Sequence, residues 1–274
     1  MSISERQLSA FASDHDKLGS AISPRYLAGP GDPRHITHAL HAAGWASTSD
    51  PLHPAIRMTS PDRVHRLDLN PAEANYSWRI SPESGHIYWS ATFSAATPVE
   101  IVAGFTDTLA RPAPFEESAP AVVERLAAHG WTQAADHTGS QILLSPEGSV
   151  QATPRDSPSA ALAGWEFVAA RQFGPYGPEG LMWRAHVSKA APGHLVAALA
   201  DAVSTPEPVL RARYDHACSP HVVAGPEFAI STKMLAAHKA RVAQARRFRP
   251  RPAQPTVRTV APAPAGRTPA APAR

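Results

Sequence analysis

The sequence predicts an α+β protein: two tandem copies of one unit, each a helix, an antiparallel sheet of three to four strands and a second helix. Three observations predict it. The six tryptophans fall into two matched triplets, Trp45, Trp78, Trp89 and Trp131, Trp165, Trp183, whose members lie 86, 87 and 94 positions apart, so one loop of copy two carries the extra length. A Gly-Trp pair, Gly44-Trp45 and Gly130-Trp131, recurs at the start of each copy. Between the anchors the apolar spacing changes from three and four to two and back, as helix, strands and helix require.

The elements follow in order. Residues 1–21 contain a short helix through Leu8 and Phe11. Ile36, Ala39, Leu40 and Ala43 line one face of the first repeat helix, with Val122 and Leu126 matching Ile36 and Leu40 in copy two. Glycine after such a run takes the left-handed conformation that ends the helix, and the tryptophan folds back on it. Ile56-Arg57-Met58 and Val64 to Leu69 then read as strands joined by a turn around Ser60-Pro61-Asp62; Ile142-Leu143-Leu144 and Ser145-Pro146-Glu147-Gly148 repeat this. Strands follow near Trp78 and along Ile87, Trp89, Ala91 and Phe93, which alternate with period two. Thr97-Pro98-Val99-Glu100 predicts a helix start with a threonine cap, a proline in the first turn and a glutamate three residues after the cap; Ile101, Val102, Phe105 and Leu109 form its apolar face. The resulting division is 22–113 for copy one, 114–210 for copy two, 211–249 for a linker and basic helix, and 250–274 for a disordered Pro/Ala/Arg-rich tail.

Composition adds a charge asymmetry. No acidic residue follows Glu227, whereas ten lysines and arginines do, which leaves 16 basic against 23 acidic residues before that point, a net of −7. The body is therefore acidic and the C-terminus basic. Leu235, His238, Val242 and Ala245 share one side of the basic helix, and the seven prolines from Pro250 to Pro272 exclude a helix there. One cysteine, Cys218, excludes an intrachain disulfide framework. The absence of a long apolar run and of a basic, apolar start predicts a cytoplasmic chain without membrane partners.

Gly-Trp, strand, Ser60-Pro61-Asp62, strand, Trp89-x-Ala91-x-Phe93 and the run Thr97 to Asp107 together resemble the SPDY-type domain, a domain-of-unknown-function family of streptomycete proteins often present in tandem. The likeness covers roughly residues 24–112 and, more loosely, 117–210. Copy two has Glu147 for the motif aspartate, and Gly193 and His194 for Val99 and Glu100; the motif tyrosine is replaced by Arg63 and Gly148. The resemblance implies fold and lineage. It implies no catalytic residues.

The candidate chemistry weighs against an enzyme, a metal and a cofactor. His35, His38 and His41 suggest a metal site by their spacing, yet copy two has Ala121, Glu124 and Ala127 there, so a solvated polar face is expected. Ser60 with His65 lacks a nucleophile elbow and reads as a turn. Asp107 and Asp201 are a matched carboxylate pair without a partner acid and read as surface or packing residues. Gly29-Pro30-Gly31-Asp32-Pro33 lacks the lysine of a phosphate loop and leads into the helix. The tryptophans read as core rather than as base-stacking platforms. Two features point to binding. Tyr176, in the inserted loop Gly174 to Gly180, is a candidate partner contact. Lys239, Arg241, Arg246, Arg247, Arg249 and Arg251 are candidate polyanion contacts. The expected function is a non-enzymatic tandem module that binds another protein. A nucleic-acid accessory role through the basic arm comes second, and an enzyme with a site between the copies third.

Overall fold

A computed structural model describes residues 3–50, 52–84, 88–111, 122–135, 139–159, 162–174 and 177–250. Helix α1 (Glu5–Asp14) opens the chain behind a capping box in which Ser4 and Gln7 satisfy each other's backbone amides, and Phe11 is its buried residue. Strand β1 (Leu18–Ser23) and a 3-10 turn (Arg25–Leu27) lead to α2 (Arg34–Ala42). Copy one continues as β2 (Ala46–Ser47), β3 (Ile56–Thr59), β4 (His65–Leu69), β5 (Trp78–Pro82), β6 (Ala91–Phe93) and α3 (Val99–Ala110). Copy two repeats the order as α4 (Val122–Ala128), β7 (Thr132–Ala135), β8 (Gln141–Leu144), β9 (Val150–Arg155), β10 (Gly164–Gly174), β11 (Gly177–Ser188) and α5 (Gly193–Ser204). Strands β12 (Val209–Ala212), β13 (Val223–Ala224) and β14 (Phe228–Ala229) precede α6 (Ser231–Arg246).

Each copy thus contributes five strands rather than three or four. The unexpected ones, β2 and β7, are short, almost wholly exposed and lie at the sheet's two ends, so no apolar alternation marks them. The strand around Ala91 is also shorter than the alternation suggests, and Ile87 lies outside the described residues.

The Gly-Trp pair does the same work twice. Gly44 (φ +98°) and Gly130 (φ +81°) take the left-handed conformation. The following tryptophan amide then donates back to a carbonyl five residues earlier, Trp45 to Leu40 at 3.0 Å and Trp131 to Leu126 at 3.1 Å. This is the Schellman closure of a helix. Both indoles are buried, as are Trp78, Trp89 and Trp183.

The two sheets of the repeats are one sheet. Its order is β2-β3-β4-β5-β6-β11-β10-β9-β8-β7, antiparallel throughout, and it closes at the seam between β6 and β11. There Ala91 pairs with Val187, Thr92 with His186 and Phe93 with Ala185. Ala91 and Phe93 are the repeat equivalents of Ala185 and Val187, so each residue meets its partner's counterpart and a pseudo-twofold axis passes between Thr92 and His186. Equivalent serines seal both ends: Ser94 Oγ accepts from the Arg184 amide at 3.1 Å, and Ser188 Oγ accepts from the Ser90 amide at 2.9 Å. The axis also relates α3 and α5. A Cβ on Gly104 would lie 2.4 Å from the Ala202 Cβ, so this glycine sets how closely the helices approach.

Among the described residues, helices cover one face only. Met58, Leu67, Trp78, Ile80, Ala91, Phe93, Phe167, Trp183 and Val187 point into a core shared with Ile36, Leu40, Ile101, Phe105, Leu126, Leu195 and Leu199. Because side chains alternate along a strand, the intervening residues face away from the helices of the described residues. A second, small sheet joins β1 to β12, β13 and β14 across nearly the whole chain. The start of α3 departs from expectation by one residue: the helix begins at Val99, and Thr97 does not cap it. Thr97 is wholly buried at the seam, where its hydroxyl reaches the Arg184 carbonyl at 3.3 Å, while the free Val99 amide is taken by Pro30 O at 2.8 Å. Glu100 turns away from the cap to a bidentate pair with buried Arg211 (2.5 and 2.9 Å). Burial alone would raise the Glu100 carboxyl, but Arg211 more than offsets it and holds the group at about 2.

Candidate binding surface

The helix-free face carries a transverse row of polar side chains, one per strand: Arg57, Asp68, Arg79, Thr92, His186, Glu166 and Thr153. Around the seam this face is hollowed into an open groove of about 1010 Å³. Copy one lines it with Tyr76, Arg79, Tyr88, Ser90 and Thr92; copy two adds Gln151, Thr153, Arg155, Glu166, Val168, Arg184 and His186. Strands β10 and β11 have 11 and 12 residues against 5 and 3 for their counterparts. The insertion in copy two therefore lengthens a β-hairpin, whose Phe173 and Pro178 wall the groove. Tyr176 lies outside the described residues, between these two strands.

The charges of the groove are unevenly paired. Asp68 is held by Arg57 (2.6 Å) and Arg66 (2.8 Å), and Glu166 is hydrogen-bonded by Arg155. Arg79, exposed on β5 directly opposite Asp68, has no ion-pair partner among the described residues. Arg184 comes no closer than 3.8 Å to Glu166. Tyr76 and Tyr88 are 47% and 65% exposed, unlike the tryptophans. Burial holds the His186 imidazole below the ordinary histidine value and so favours its neutral form. None of these residues stands out in the sequence, because polar positions on a half-buried strand look alike whether or not they bind; only the inserted length near Tyr176 pointed here.

The basic helix is placed differently from the expectation of a free arm. Lys239, Arg246, Arg247 and Arg249 are exposed, and Arg251 lies outside the described residues. Arg241 is not available to a polyanion: its guanidinium holds Asp107 through two 2.7 Å bonds and the His35 carbonyl at 2.8 Å. The helix docks on α1 and α2 by burying His238, Val242 and Ala245. His238 stacks on Phe11 with ring centres 4.0 Å apart, and its Nε2 lies 3.0 Å from His38 Nδ1.

The histidines of α2 therefore do not form a solvated face. His35 and His38 are sandwiched between α2 and α6, and burial lowers His35 to about 3 and His238 to about 4, with Arg241 and neighbouring imidazoles adding to the shift. Among the described residues no group of three or more His, Cys, Asp or Glu is placed to hold a metal.

The remaining candidates make local hydrogen bonds and ion pairs. Ser60 Oγ donates to Asp62 (2.5 Å) and accepts from the His65 amide (2.9 Å); Ser145 does the same with Glu147 (2.8 Å) and Val150 (3.0 Å). The positive-φ position of each turn is Arg63 (φ 60°) or Gly148 (φ 74°). Glu147 also accepts from the Tyr26 hydroxyl at 2.5 Å, and the Tyr26 carbonyl accepts from the Trp183 indole at 2.7 Å, tying the turn to the core. Asp107 and Asp201 serve separate ion pairs, with Arg241 and Arg125. Gly29 and Gly31 take positive φ, and the Asp32 carboxylate accepts from the Arg34 amide at 2.8 Å as the chain enters α2.

Among the described residues no helix is long and apolar enough to cross a membrane. Two segments, residues 59–115 and 144–209, match the model of SPDY, a domain of unknown function (DUF317). No curated protein and no solved structure matches the chain.

Proposed function

With the chain belonging to the SPDY (DUF317) family through two copies of its domain, we propose that it is a non-enzymatic module of the cytoplasm that binds another protein on the helix-free face of its sheet. The observation that carries this reading is the groove across the β6–β11 seam, where among the described residues Arg79 has no ion-pair partner, Arg184 makes only a 3.8 Å approach to Glu166, and Tyr76 and Tyr88 are exposed. Rigid strands hold these side chains, so little order is lost when a partner docks. A reducing compartment suits the lone exposed Cys218.

A second reading, a nucleic-acid accessory role, is favoured by Lys239, Arg246, Arg247 and Arg249, which are exposed and make no ion pair among the described residues. Affinity capture with nuclease treatment separates the two. The full chain is compared with Thr92→Trp, which fills the groove, and with a variant carrying glutamine at 239, 246, 247 and 249. Protein recovery lost only in Thr92→Trp supports the groove. Recovery lost on nuclease treatment and in the glutamine variant transfers the function to the basic helix.

A further inference from the structure

We propose that the occupant of the groove is an extended acidic polypeptide segment whose two carboxylates, about four residues apart, pair with Arg79 and Arg184. The inference rests on the reading of the groove as a protein-binding surface and adds the chemistry of the partner. On copy one, both oxygens of Asp68 are taken by Arg57 and Arg66, so Arg79 opposite it is left over. On copy two, Glu166 accepts a hydrogen bond from Arg155, and Arg184 makes only a long 3.8 Å approach. The pattern is a surplus of guanidinium on each side of the seam, and guanidinium matches carboxylate as a planar fork.

The spacing follows from the register. Arg79 pairs with Thr92, Thr92 with His186, and Arg184 lies two residues from His186 on the same strand. Two strand spacings and two residues of rise put the two Cα atoms about 12 Å apart. In an extended chain, residues i and i+4 lie about 13 Å apart and point to the same side. Between the two arginines lie Thr92 and His186, small or neutral, with the exposed rings of Tyr76 and Tyr88 at the copy-one side for the intervening side chains. Glu166 and Asp156 line the same groove. A polynucleotide carries a charge at every step and meets these carboxylates, whereas a polypeptide places its charges selectively.

The test is selection of a randomised twelve-residue peptide library on the full chain, in parallel with Thr92→Trp and with the double variant Arg79→Gln/Arg184→Gln, all verified as folded by circular dichroism. The expected result is enrichment of Asp/Glu pairs at a spacing of four, with at least tenfold weaker binding of the selected peptides to the double variant. Replacing either acid of a selected peptide by its amide should weaken binding tenfold. Enrichment without acidic residues, or binding indifferent to the two arginines, overturns the acidic-segment proposal while leaving the groove reading intact if Thr92→Trp still abolishes binding. Selection indifferent to Thr92→Trp, or no enrichment at all, overturns both. Tighter, Arg79-dependent binding of a twelve-nucleotide single strand would also overturn it in favour of nucleic acid.

Discussion

The two copies share a scaffold but differ in what lies against their first helix. In copy one, α2 is overlaid by α6, and none of its nine residues is exposed. In copy two, the counterpart α4 has Glu124, Ala127 and Ala128 exposed. The matched aspartates record the difference: Asp107 reaches across to Arg241 of α6, whereas Asp201 stays within its copy on Arg125. The repeat alone sets the sheet and its helices, while the C-terminal helix, whose charge invites reading it as an appendage, turns one half into a three-layered structure. The asymmetry then lies on opposite faces: α6 over copy one, the long hairpin beside copy two.

The largest effect expected from breaking this comparison is removal of α6. A chain ending at Ile230 loses the burial of His238 and Val242 and leaves Asp107 unpaired, and should be less stable than one ending at Pro250 by about 4 kcal/mol or more. Urea unfolding measures this; a difference under about 1 kcal/mol would show that the helix does not hold the fold. Acid sharpens the same contrast. The folded values of His35 and His238, about 3 and 4, lie below the ordinary 6.5, so as pH falls the unfolded chain takes up protons first. Stability should be flat around pH 7 to 8 and decline from pH 6.5 toward 4, by about 2–4 kcal/mol at pH 5. His238→Phe should make that slope shallower. The carboxylates of Asp32 and Glu100 favour the charged imidazoles while Arg34 and Arg241 disfavour them. The two carboxyls are themselves held below their ordinary values, so their own protonation adds to the loss of stability in acid.

Smaller effects compare matched positions directly. Asp107→Asn should cost about 1–3 kcal/mol, because the bidentate partner Arg241 is mostly buried. Asp201→Asn, at a half-exposed pair, should cost under about 1 kcal/mol. Equal losses would mean that α6 contributes no more than a surface contact. Last, Arg63→Gly should stabilise by up to about 1 kcal/mol, since only copy one places a side chain in the left-handed turn position, and Gly148→Ala should destabilise by a similar amount. Thermal melts of the two variants should move in opposite directions.

What the sequence made legible was local. The Gly-Trp helix ends, the serine turns and the apolar faces of α2 and α3 each depend on residues within a few positions of one another. The seam is not local: Ala91 and Val187 carry no mark of each other until the chain folds. The same holds for β1 and β12, which join opposite ends of the molecule. For α6 the stripe through His238, Val242 and Ala245 was visible, but so many cations surround it that charge suggested a solvated arm. The groove was least legible, since Arg79 and Arg184 gain meaning only from carboxylates already claimed by other arginines.

The pairing of β6 with β11 also dictates an order of events. Hairpins within each copy close short stretches of chain, whereas the seam joins residues about 95 positions apart, and such long-range closures come late because their entropy must be met first. Copy one emerges from the ribosome before β11 exists, with β6 as an open edge awaiting its complement. A second molecule can offer that complement in the same register. The misassembly expected of such a seam is an exchange of halves between chains, and its frequency should rise with the rate of synthesis relative to the rate at which each chain closes on itself.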